Sequence, residues 1–122
     1  MSKVSIIATI KNNDQEQITK TQSIKTKEEY KYQEKDNTKV VFNYLDYYLK
    51  RENDKIIFEV KFIEEKDVKA RYYMKELGKE LTLNIKTKSI IKKENKLEIN
   101  YTIDKDKFLY RIEEIKWVFI MN

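Results

Sequence analysis

A chain of 122 residues with neither cysteine nor histidine has room for one useful hydrophobic core and reads as a single domain over residues 1–122. It cannot build a disulfide, a thiolate nucleophile, a Ser-His pair or an ordinary zinc site, and its lack of cysteine fits a reducing compartment. The net charge of +5 invites a nucleic-acid reading, but Lys alternates with Glu and Asp throughout and only Arg51, Arg71 and Arg111 are guanidinium groups, so a mixed-charge solvated surface without a specific nucleic-acid partner is expected.

The first residues, Met1-Ser2-Lys3-Val4-Ser5-Ile6-Ile7-Ala8, run into an alternating pattern that lacks the apolar segment and cleavage site of a secretory signal. No stretch approaches the roughly 20 apolar residues of a membrane-spanning helix, and the most apolar run, 115–121, is far shorter. A cytoplasmic location and no membrane partner are expected. Proline is absent and Gly78 is the single glycine, so turns must be read from Asn/Asp clusters and from changes of period.

Val4, Ile6, Ala8 and Ile10 share one face of a half-buried strand that ends at Asn12-Asn13-Asp14. Residues 18–24 form a weaker, Thr-rich strand. Tyr30 and Tyr32 alternate with charged residues, and Lys35-Asp36-Asn37-Thr38 turns the chain into Val40, Phe42 and Tyr44, which makes a hairpin. A second hairpin joins 47–51 to 55–63 across Glu52-Asn53-Asp54, with Ile56, Phe58, Val60 and Phe62 inward. Residues 67–78 suit either a helix capped by Gly78 or a strand carrying Val68, Ala70, Tyr72 and Met74 on one face, and the strand is preferred. Leu81, Leu83 and Ile85, then a turn at Lys92-Lys93-Glu94-Asn95, then Leu97, Ile99, Tyr101 and Ile103 form a third hairpin. The last strand changes phase from Phe108, Tyr110 and Ile112 to Ile115, Trp117, Phe119 and Met121, which predicts a β-bulge at Glu113-Glu114. The whole is an all-β antiparallel meander of about eight to ten short strands, and its simplest burial is to curl into a barrel.

The run Arg71-Tyr72-Tyr73-Met74-Lys75-Glu76-Leu77-Gly78, continuing through Leu81-Thr82-Leu83-Asn84-Ile85-Lys86-Thr87 to Leu97-Glu98-Ile99-Asn100-Tyr101-Thr102-Ile103, resembles the bacterial YwiB-like family of unknown function. Glu29-Tyr30-Lys31-Tyr32 and Asn43-Tyr44-Leu45-Asp46 are similar to that family's earlier hairpin. The resemblance implies a lipocalin-like (calycin-like) barrel, a strand over 67–78, and no known activity or ligand. The chain departs from the family in having Val60-Lys61-Phe62-Ile63 where an Arg-Gly pair is expected, and in being short between Asp46 and Asp67.

The inward phases collect Tyr30, Tyr32, Phe42, Tyr44, Phe58, Phe62, Tyr72, Tyr101, Phe108, Tyr110 and Trp117. Each buried phenol needs a hydrogen-bond partner or water, so the interior is either packed solid or shaped to hold one small ligand. Adjacent acids at Glu28-Glu29, Glu64-Glu65 and Glu113-Glu114 point to opposite faces of a strand or lie in turns, and do not converge as a catalytic pair must. Thr21, Ser23 and Thr26 have no neighbouring base, and Lys20 reads as an edge gatekeeper. Tyr47-Tyr48-Leu49 places aromatic surface on both faces of its strand, as a protein contact would. The leading expectation is a non-catalytic barrel that holds a small, partly apolar molecule among Tyr30, Tyr32, Tyr44, Phe58, Tyr72, Tyr101, Tyr110 and Trp117, with no metal or other cofactor. The alternative is an interaction or homodimerisation module that pairs through an edge strand or the Tyr47-Tyr48 surface.

Overall fold

The structure, a computed structural model, describes residues 2–11, 15–104 and 112–121, with residue 104 and residues 112–121 described by their backbone. Phe108, Tyr110 and the turn at Asn12-Asn13-Asp14 lie outside the described residues. Ten strands succeed one another: β1 (Ser2–Lys11), β2 (Glu16–Lys25), β3 (Glu29–Gln33), β4 (Lys39–Asn43), β5 (Tyr48–Glu52), β6 (Ile56–Lys61), β7 (Asp67–Met74), β8 (Lys79–Lys93), β9 (Lys96–Asp104) and β10 (Ile112–Met121). Each pairs antiparallel with its neighbours in sequence, and β1 pairs with β10 from Ile6↔Met121 to Lys11↔Lys116, closing the meander into a barrel. Closure satisfies the backbone groups that the two terminal strands would otherwise leave open.

The period-two pattern places the core. Ile6, Ala8, Tyr30, Tyr32, Val40, Phe42, Leu49, Phe58, Val60, Phe62, Ala70, Leu83, Ile85, Leu97, Ile99, Tyr101 and Ile103 are all buried on the inner face. At about 25 cal/mol per Å2 removed from water, these side chains supply the main drive for closure. The ambiguous segment is β7, and Gly78 ends the turn into β8 with φ of 58°. That left-handed conformation suits a residue without Cβ, so the glycine serves a hairpin and not a helix end.

One feature differs from the sequence reading. The expected bulge at Glu113-Glu114 is absent: β10 pairs with β9 in unbroken register from Ile112↔Asp104 to Ile120↔Lys96. The apolar phase changes between Ile112 and Ile115, inside β10, and the strand carries that change without an extra residue. The bulge lies instead in β8, where the register with β9 shifts between Thr87 and Ser89 and leaves Lys88 as the extra residue. There the inner phase passes from Leu83, Ile85 and Thr87 to Ile90, which stands opposite Ile99.

The inner face of β2, which the sequence reading left unassigned, is set by its partner. Its isoleucines face out, with Ile18 44% and Ile24 40% exposed, while Thr19 and Ser23 are buried. Pairing with β1 decides this, because inward Ala8 stands opposite Thr19 and Val4 opposite Ser23, and side chains directly opposite share a face. Ser23 is satisfied by donating to the Lys31 carbonyl at 3.0 Å.

The wall is uneven. β2 runs the full length of β1, from Ser2↔Lys25 to Lys11↔Glu16, but meets β3 only at Ile24↔Lys31 and Lys25↔Tyr30. The first half of β2 is therefore paired on one side alone among the described residues. The turns at 34–38, 53–55 and 75–78 gather at the end of the barrel where this seam splits, and those at 26–28, 44–47, 63–66 and 94–95 at the opposite end.

Candidate binding site at the barrel mouth

At the split end a row of register partners crosses the inner face: Tyr32↔Val40, Val40↔Arg51, Arg51↔Phe58, Phe58↔Tyr72 and Tyr72↔Leu81. Tyr32, Val40 and Phe58 are buried, Tyr72 is half-buried, and Leu81 is 46% exposed. Leu81 is thus an inward-phase leucine left facing water. The next residue outward on the same phase of β8 is Lys79, which stands opposite Met74. Between the tips of the β3–β4 and β5–β6 hairpins, a cleft of about 590 Å3 is lined by Asp36, Asn37, Lys39, Glu52, Asn53, Asp54 and Lys75.

The row contains an ion pair that the sequence reading missed. Glu34 continues the inward phase of Tyr30 and Tyr32, and its side chain is 2% exposed. Arg51 continues the phase of Leu49 and donates to Glu34 Oε1 from Nε at 3.2 Å and from Nη2 at 2.5 Å. Carried two residues past the last apolar position, the alternation would have found both. A charge at an inward position is costly unless paired, and here each is the other's compensation.

Around the rim, charge-assisted bonds hold the turns. The Thr38 hydroxyl donates to Asp36 Oδ1 at 2.6 Å and holds that carboxyl below its ordinary range. Lys75 donates to Glu52 at 2.9 Å, with the same effect on Glu52. On the outer wall Tyr48 donates to Glu59 Oε2 at 2.7 Å, and burial together with that carboxylate pushes the phenol well above its usual range. Asp36, Glu52 and Lys75 line the cleft between the hairpin tips, whereas Tyr48 and Glu59 stand apart on the outer wall. Among the described residues, no group of three or more His, Cys, Asp or Glu is placed to hold a metal ion, and no helix is long and apolar enough to cross a membrane.

The aromatic residues expected to line one cavity are distributed. Tyr32, Phe58 and Tyr72 belong to the mouth row. Tyr30 and Tyr44 pack with tilted rings 5.3 Å apart toward the opposite end, with the Lys25 ammonium 5.6 and 5.8 Å from their rings, and the Tyr44 hydroxyl donates to the Lys27 and Thr26 carbonyls. Tyr44 therefore ties down the β2–β3 turn. Tyr101 packs on Phe62 at 4.9 Å. Trp117 stands opposite Ile99 and Ile10 in the backbone register, and its side chain, like Tyr110 as a whole, lies outside the described part. Tyr47, with φ of 58°, turns to pack in part against the core, and Leu49 is buried, while Tyr48 stands on the outer wall.

The course of the strands is shared with a solved protein. The crystal structure of the ywiB protein from Bacillus subtilis matches with a TM-score of 0.51 over 98% of this chain and 90% of that chain, at 17% sequence identity. The chain has the ywiB fold. At that identity the ywiB likeness is one of backbone and carries no residue of the mouth across. It agrees with the resemblance seen in residues 71–103. No protein-family model matches the chain, and no curated protein matches it.

Proposed function

We propose that this protein is a non-catalytic binding barrel for a small, partly apolar molecule, seated at the split end and working in a reducing compartment such as the cytoplasm. The observation that carries the reading is the inner row at the mouth, where apolar side chains stay in contact with water at Leu81 and Tyr72 while the same row is buried at Tyr32 and Phe58. Covering such surface is favourable by about 25 cal/mol per Å2, and pockets that take small molecules combine an apolar lining with few polar groups. Glu34 and Arg51 engage each other, which leaves the row without an uncommitted acid or base. The test is native mass spectrometry of protein purified without detergent, before and after solvent extraction. A small mass excess removed by extraction is expected. A bare polypeptide mass, together with no thermal shift from any apolar compound, would remove the basis for the reading.

A second reading, homodimerisation, is favoured by the one-sided pairing of β2. An antiparallel copy centred on exposed Ile18 would set Glu16 opposite Lys20 on both sides of the axis, a favourable cross-strand arrangement. Light scattering at increasing concentration tests it: a dimer abolished by Ile18→Lys is expected on this reading, and a monomer at all concentrations ends it.

A further inference from the structure

Resting on the proposed binding role, we infer that the preferred ligand is an anion with an apolar body, its carboxylate or sulfonate held at Lys79 and its body laid across Leu81, Tyr72 and Phe58 toward Arg51. Lys79 is the residue of β8 two positions before Leu81, so both lie on one face of the strand, and it stands opposite half-buried Met74. Of the other cations of this end, Arg51 is engaged with Glu34 and Lys75 with Glu52, while Lys35, Lys39 and Lys55 belong to the hairpin tips and lie off the inward phase that Lys79 shares with Leu81. Lys79 has no ion-pair or hydrogen-bond partner among the described residues. The apolar floor is open beside it, with Leu81 46% exposed.

Geometry limits the ligand's length. Neighbouring strands are about 4.8 Å apart, so the row from Leu81 on β8 across β7 and β6 to Arg51 on β5 spans three inter-strand steps, or about 14 Å. That suits a chain of about ten carbons or a fused aromatic acid. At the far end the Glu34–Arg51 pair is a neutral polar stop, which gives an apolar tail nothing to gain by going further.

Calorimetric titration with decanoate and with decan-1-ol separates the head group from the body. The unmodified protein is expected to bind both, decanoate more tightly. Lys79→Glu, a surface change that leaves the fold intact, is expected to weaken decanoate about five- to tenfold, as reversal of one exposed charge pair does, and to leave decan-1-ol unchanged. Leu81→Ser should weaken both. Equal binding of the two compounds with no effect of Lys79→Glu would overturn the anion assignment while leaving an apolar-binding barrel standing. Failure of the unmodified protein to bind either compound would overturn the binding role itself.

Discussion

Arg51→Leu is expected to be among the most damaging single changes in this protein, although it puts an apolar side chain into an apolar row. The reason is its partner. Glu34 is 2% exposed at its side chain and accepts from both Nε and Nη2 of Arg51, so removing the guanidinium strands a carboxylate away from water. A broken buried pair costs about 3–5 kcal/mol, a large part of the roughly 5–15 kcal/mol that holds a domain of this size. The converse change is milder. Arg51 is 27% exposed at its side chain, so after Glu34→Leu the guanidinium can turn to solvent, at a cost of about 1–2 kcal/mol. The double substitution Glu34→Leu with Arg51→Leu removes both charges and should return to within about 1 kcal/mol of the parent. Urea unfolding of the four proteins, compared at equal slope, measures the cycle. A coupling of at least about 2 kcal/mol is expected. Additive losses, or an Arg51→Leu no worse than Glu34→Leu, would refute the reading of an inward, mutually compensated pair.

Phe42 is 1% exposed in the centre of the barrel, and Phe42→Ala should destabilise by about 3–5 kcal/mol, lowering the urea midpoint. Gly78 has φ of 58° with nothing within 4 Å of an added Cβ, so Gly78→Ala meets backbone strain and no clash, and should cost about 1–2 kcal/mol, visible as a few degrees in Tm. Tyr48 has a folded-state pKa raised above its unfolded value. Its contribution is therefore fully present below about pH 10 and is lost as pH rises through the folded value. Tyr48→Phe should accordingly flatten the alkaline limb of the stability profile, and an unchanged limb would show that Glu59 does not hold the phenol. Asp36 and Glu52 have lowered values, so their contributions are present above about pH 4 and fade as pH falls through the folded values. Thr38→Val should reduce that acid-side loss by removing the hydroxyl that Asp36 accepts from.

What the sequence determined by itself was the alternation. Val40 with Phe42, Phe58 with Val60, and Leu97 through Ile103 declare an inner face residue by residue, because a strand has only two faces and burying a lysine is costly. The turns at Asp36-Asn37 and around Asn53 were legible for the same local reason, since their side chains bond the nearby backbone. The resemblance carried by 71–103 pointed to the barrel, and the backbone likeness to ywiB agrees. Tertiary structure alone decided the rest. Ile18 and Ile24 face water because β1 fixes the register of β2, and no property of β2 itself announces that its threonines and serine are the inner side. The bulge sits at Lys88 and not at Glu113-Glu114 because β8 must pair with β7 along its first half and β9 along its second, a demand made by partners far away in sequence. Glu34 and Arg51 stand 17 residues apart, and what makes a charge tolerable at an inward position is the geometry of its partner, which exists only once β3, β4 and β5 lie side by side.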